Sequence, residues 1–227
     1  MTVVASTVES IRSWWEYMTV EVPEDVRERL FEHAVLVLQA VTLSTLLAVG
    51  LGIAAHRWRT LRAPVLGLAS VLLTIPSLAM FTLFIPIVGL GTTPALIALV
   101  LYALLPVLRN TFTGLDGVDP AVVESARGVG YSKRQTLVRV ELPLAWPVIS
   151  TGIRVSLLLA TGIAAIATLV GGGGLGEFIK DGLPRYPLGV SVEQIWTGTV
   201  LTMVLALVFD AIFGLVRYVT TPRGIRN

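Results

Sequence analysis

The sequence predicts an all-α integral membrane protein with about five spanning helices and one polar insertion between them. Three observations carry that expectation. The 227 residues are 54% hydrophobic and only 14% charged, whereas soluble domains carry about 25% charged residues. Long uncharged runs recur at lengths that suit a bilayer, which takes about 20 residues at roughly 1.5 Å each. A single polar stretch, DPAVVESARGVGYSKRQTLVRVELP at 119–143, interrupts them with caps and glycines. There is no cysteine, so disulfides and thiolate metal sites are excluded.

Residues 1–33 read as an external N-terminal segment. They lack a basic start followed by a short apolar core and a cleavage site, so no cleaved signal peptide is expected. PEDVRERLFEH puts acids in a first helical turn after Pro23, which predicts a helix from about residue 24, outside the bilayer. Trp14 and Trp15, just before it, are placed to rest on the membrane surface. The first span is the uncharged run 34–55, bounded by His33 and His56. Residues 63–108 carry no charge and are the right length for two spans, broken at GLGTTP (89–94) by Gly89, Gly91 and Pro94. Pro76, in TIPSLAMF, predicts a kink or unwound turn inside the first of this pair. A fourth run covers about 148–170 and stops at the glycine run 171–174; a fifth covers about 197–217, interrupted by Asp210. A membrane domain of 34–220 and a short tail of 221–227 follow. Trp58, Trp146 and Trp196 fall near span ends, as an interfacial belt would.

Lys and Arg orient the spans. One face (56–63, 109–147, 217–227) holds eleven of them and the other (1–33, 86–93, 171–195) holds five. The polar stretch and the tail are therefore expected in the cytoplasm and the N-terminus outside.

Within the polar stretch, Asp119 is a helix cap with Pro120 at the first position. Gly128 and Gly130 are expected to supply the positive φ that ends this helix after about two turns. Ser132, with Gln135 three residues on, begins a second short helix by a capping box, and Pro143 marks its approach to the fourth span. Ala121, Val122, Ser125 and Ala126 form a small, apolar face suited to a groove on another protein.

Glu124-Ser125-Ala126, then Gly130 three residues later, nine residues, and Val-Glu-Leu-Pro at 140–143 match the EAA motif of ABC importer permeases. Ser125 stands for an alanine and Val140 for an isoleucine of the family pattern, and the spacing is kept. TIPSLAMFTLFIPIVGLGTTPALIALVLYALLPVLRNTFTGLDGVDP (74–120), ELPLAWPVISTGIR (141–154) and LVGGGGLGEFIKDGL (169–183) resemble the osmoprotectant branch, importers of glycine betaine, carnitine, choline and proline betaine. The resemblance covers about residues 30–220. It implies a methionine-importer-like permease fold with a cytoplasmic coupling helix in the loop 115–143. Glu124, Ser125, Ala126, Gly130, Leu142 and Pro143 are then the residues that couple the spans to an ATPase. It also implies a prokaryotic cell membrane, two cytoplasmic ATPase subunits, a second permease subunit, identical or paralogous, and a separate extracytoplasmic binding protein. No nucleic acid is expected as a partner.

The chain has no G-x-x-x-x-G-K-[ST], so ATP and Mg²⁺ are expected on the partner, with no cofactor here and no catalytic residue. Gly171, Gly173 and Gly176 fit G-x-G-x-x-G but follow a span, not a strand, and read as a hinge or a site of close helix packing. Two histidines are too few for a metal site. Two charges lie at membrane depth and need partners. Asp210 pairs with Arg154 or Arg217, or else attracts a quaternary ammonium in the pathway. Thr74, Pro76 and Ser77 either line that pathway or mark a structural kink. Two alternatives stand beside the osmoprotectant reading. One is the same machinery importing another small solute such as methionine. The other is an ATP-independent secondary transporter, which five spans and one asymmetric insertion argue against.

Overall fold

A computed structural model describes residue 9 and residues 11–221. The remainder of the expected tail, Arg223 included, and residues 1–8 and 10 of the N-terminal segment lie outside the described residues. No strand occurs among those described. After a helical stretch over 11–16 and a π turn at Tyr17–Glu21, the helices are α1 (Pro23–Arg57), α2 (Arg59–Thr74), α3 (Ser77–Val88), α4 (Thr92–Asp116), α5 (Pro120–Gly128), α6 (Lys133–Val170), α7 (Gly176–Gly182) and α8 (Ser191–Thr220). Helices α1, α4, α6 and α8 are long and apolar enough to cross a membrane, and the bent pair α2–α3 counts as a fifth if the two together form one span. α1 starts at Pro23 with Glu24 and Asp25 in its first turn, where acids favour the positive end of the helix dipole.

The break inside the second span falls at Pro76. Ile75 (φ −69°, ψ 130°) and Pro76 (φ −56°, ψ 139°) are extended, as the residue before a proline prefers. The freed Ile75 carbonyl accepts a hydrogen bond from the buried Tyr102 hydroxyl of α4. α6 differs from expectation. The second helix of the polar stretch is not a separate short helix but runs through Pro143 into the fourth span. Its continuity comes from a π turn over Leu137–Glu141, in which the Leu142 N–H reaches back to the Leu137 carbonyl. The wider turn accommodates Pro143, whose ring and missing N–H would break a regular ladder.

The chain divides into two compact units: Met1–Gln39 with Pro76–Leu99 and Ala160–Leu207, and Ala40–Ile75 with Val100–Leu159 and Val208–Asn227. The first buries Met80, Phe81, Ala95, Ala98, Ala164 and Phe178. Here Trp14 does not simply lie on a membrane surface; its Nε1–H donates to Thr197 Oγ1 of α8 at 3.0 Å. Trp15 is exposed. The second buries Leu108, Phe112, Leu115, Ala145 and Ile149. In it α4 and α6 approach so closely that a Cβ on Gly152 would lie 2.7 Å from the Pro106 carbonyl oxygen. The Ser156 hydroxyl donates to the Ala103 carbonyl across the same pair of helices, at 2.6 Å. Of the most apolar 18 residues of α4, 67% are buried within the chain, against 11% in α8. α8 thus leaves most of its apolar surface for lipid or another chain to cover.

Candidate functional site

The polar stretch builds its first helix as its residues dictate. Asp119 Oδ1 accepts the Ala121 N–H at 2.8 Å, and Pro120 occupies the first position, where no donor is needed. At the other end the Tyr131 N–H bonds the Ala126 carbonyl at 3.1 Å and the Gly130 N–H bonds that of Arg127 at 2.9 Å. That pair of bonds is a Schellman cap with Gly130 at the left-handed position, φ 94°. Gly128, expected to share this role, does not: it is the last helical residue and its φ is not positive. Gly130 alone turns the chain.

Ser132 then opens α6 through the expected capping box. Its N–H bonds Gln135 Oε1 at 2.8 Å while its Oγ accepts the Gln135 N–H at 3.3 Å. The outer face of α5 is Ala121, Val122, Ser125 and, just beyond the helix, Val129, all exposed. Ala126 departs from expectation. It is buried against the protein itself and so is not offered to a partner. Its small size is required on the inside. Glu124 and Arg127 line a cavity of about 440 Å³ together with His56, Arg59, Asp116 and Glu141. Leu142 and Pro143 are half-buried where the π turn passes into the regular helix. Glu124, Ser125 and Ala126 thus lie on α5, Gly130 in the turn after it, and Leu142 and Pro143 in α6.

The second set of residues is dispersed. Arg154 and Asp210 meet in a two-pronged pair, Nε to Oδ1 at 2.5 Å and Nη2 to Oδ2 at 2.6 Å. Arg217 is therefore not the partner. Thr74 Oγ1 donates to the Val71 carbonyl one turn back at 2.7 Å, Pro76 lies in the break, and Ser77 opens α3.

Residues 171–174 with Gly176 are close-packed rather than a loose hinge. Gly171, Gly173 and Gly174 have positive φ, and a Cβ on Gly176 would lie 2.0 Å from the Ala165 carbonyl oxygen. Glu32 Oε2 accepts the Gly174 N–H at 3.0 Å, and His33 Nδ1 accepts the Leu175 N–H at 3.3 Å while Nε2 faces the Thr161 carbonyl at 3.0 Å. The neutral imidazole with its proton on Nε2 satisfies both partners. Nearby, burial pushes the Glu177 carboxyl up, but the hydrogen bond and charge of Lys180 and the charge of Arg29 outweigh it and hold it below the usual carboxylate range. Sequence reasoning named neither Glu32 nor His33 as an anchor, because only the folded chain brings 32–33 to 173–175.

Comparison with known proteins fits this architecture. Residues 44–217 match the family described as binding-protein-dependent transport system inner membrane component. The chain belongs to that family. The choline transport system permease protein OpuBB of Bacillus subtilis is 40% identical over 88% of this permease and 90% of its own length. The osmoprotectant import permease protein OsmW of Salmonella typhimurium is 41% identical over 86% of this permease and 92% of its own length. Among solved structures, an inward-facing MetNI methionine ABC transporter chain superposes with a TM-score of 0.72 at 20% identity, covering 87% of this permease and 96% of that chain. The last similarity is one of fold.

Proposed function

We propose that this permease imports quaternary-amine osmoprotectants such as choline, glycine betaine and carnitine, driven by ATP hydrolysis on a separate subunit. The observation that carries this reading is identity of about 40%, over most of both chains, to permeases named for choline, glycine betaine and carnitine. The likeness to the methionine transporter stands at 20% and speaks for the fold. In this reading α5 is the coupling helix. It docks through Ala121, Val122, Ser125 and Val129 onto a cytoplasmic ATPase that holds ATP and Mg²⁺, two such subunits serving two permeases. An external binding protein delivers the solute. Glu124 supplies a carboxylate for a basic residue of the ATPase. Motion of α5 passes through the Gly130 turn and the continuous α6 into the fourth span. Thr74, Pro76 and Ser77 stand at the broken span and line the pathway in this reading, the freed Ile75 carbonyl being satisfied by Tyr102.

Competition separates the cargoes. In cells carrying the complete transporter, excess unlabelled glycine betaine or choline is expected to suppress uptake of labelled choline, and excess methionine to leave it unchanged. Suppression by methionine with none by the quaternary amines would reassign the substrate. Uptake that persists without ATP would reject the ATP-driven reading.

A further inference from the structure

The root of the coupling segment carries a buried carboxylate that this scheme leaves without a task. Glu141 is 8% exposed and closes the π turn, directly before Leu142 and Pro143. A buried carboxylate is costly unless paired. Among the described residues, the group within ion-pair reach of it is His56, with Nε2 3.4 Å from Glu141 Oε2. The other ring nitrogen, Nδ1, lies 3.5 Å from Asp116 Oδ1. Asp116 ends α4, where the helix dipole disfavours a negative charge. Arg62 of α2 offsets that at 2.5 Å, and its guanidinium lies 5.0 Å from the centre of the Phe112 ring. The ends of α1 and α4, the start of α2 and the root of α6 therefore meet around one imidazole. This cluster lines the same cavity as Glu124 and Arg127 of α5.

We infer that His56 is a positioning residue for energy coupling: it fastens the root of the coupling segment, at Glu141, to the end of the first span. The inference rests on the coupling role proposed above for α5. A π turn interrupts the regular i→i−4 ladder and is frequent at functional sites, which makes it a place for a helix to yield. Without a tether, a push on α5 is absorbed at Leu137–Glu141. With Glu141 held to His56, the same push moves α1 together with α6.

The test uses the complete transporter in lipid, with its ATPase and binding protein, and reads solute imported per ATP hydrolysed beside folded yield. His56→Leu strands a buried carboxylate and is expected to lower yield. His56→Leu with Glu141→Leu removes both partners of the contact, so yield should recover toward wild type and the ATPase subunit should stay bound, while solute per ATP falls several-fold. His56→Lys, which places a hydrogen-bond donor against Glu141, should retain most of the wild-type ratio. A double variant that folds and transports with the wild-type ratio overturns the inference, and so does one that fails to fold, since the pair then serves stability alone. Gly130→Val, measured alongside, separates the two ideas. If it uncouples and the double variant does not, the role of His56 fails and that of α5 stands. If Gly130→Val has no effect, the coupling reading fails and this inference with it.

Discussion

Arg154 and Asp210 lie 56 residues apart in sequence and share two hydrogen bonds, one from the guanidinium Nε and one from a terminal nitrogen. An arginine fork on a carboxylate is the geometry in which two such charges are best tolerated within spanning helices. Asp210→Asn leaves the guanidinium without its counter-charge, so the yield of folded protein from membranes should fall. The exchange Arg154→Asp with Asp210→Arg should recover part of it. If yield holds while uptake of cationic choline drops, Asp210 serves the pathway; normal yield and normal uptake of every cargo would remove both roles. The sequence showed that Asp210 needs a cation but offered Arg154 and Arg217 equally, because the choice depends on how α6 and α8 approach. Histidines were harder still. His33 and His56 stood out only as bounds of an apolar run, and their partners at 161, 175, 116 and 141 are distant in sequence.

Among elements, α5 and its turn were the most legible, since caps are local chemistry. Asp119, Pro120, Ser132 and Gln135 each act within three residues of themselves, so their bonds follow from the sequence. Two local features were not legible. Gly128 stays helical because one left-handed residue completes a Schellman cap, and the bonds from Gly130 and Tyr131 assign that place to Gly130. Pro143 does not end a helix because the π turn before it absorbs the conflict. No side chain crowds Gly130, so its backbone angle alone makes substitution costly. A left-handed conformation costs an ordinary residue roughly 1–2 kcal/mol, and a β-branched one is worse placed. Gly130→Val should therefore depress uptake, and hydrolysis stimulated by loaded binding protein, more than Glu124→Ala does. The spans bury their own surfaces, so both variants should reach the membrane. Retention of the ATPase subunit, ATPase rate and uptake, measured on one preparation, check the order; wild-type values for Gly130→Val on all three would refute the assigned role.

For the whole molecule, the four apolar spans, the bent pair that is the candidate fifth and the break at Pro76 followed from charge-free runs and proline chemistry. The exposed apolar length of α8 did not, because burial depends on neighbours. Orientation across the membrane is the remaining global property, and the distribution of Lys and Arg addresses it. Eleven fall on the face of 56–63, 109–147 and 217–227, against five on the other. Positively charged short loops remain on the cytoplasmic side during insertion, so the proposed orientation has α5 inside and the stretch between α7 and α8 outside. Two exposed residues test this: Val129, 77% exposed beside the Gly130 turn, and Leu188, 74% exposed between α7 and α8. The chain has no cysteine of its own, so single cysteines report without background. Val129 caps α5 through its backbone alone and both side chains are exposed, so substitution should leave folding intact. In intact cells an impermeant thiol reagent should label Leu188→Cys at once and Val129→Cys only after permeabilisation. The opposite pattern would invert the protein in the membrane and put α5 out of reach of any cytoplasmic ATPase, so one experiment on two residues bears on orientation and coupling together.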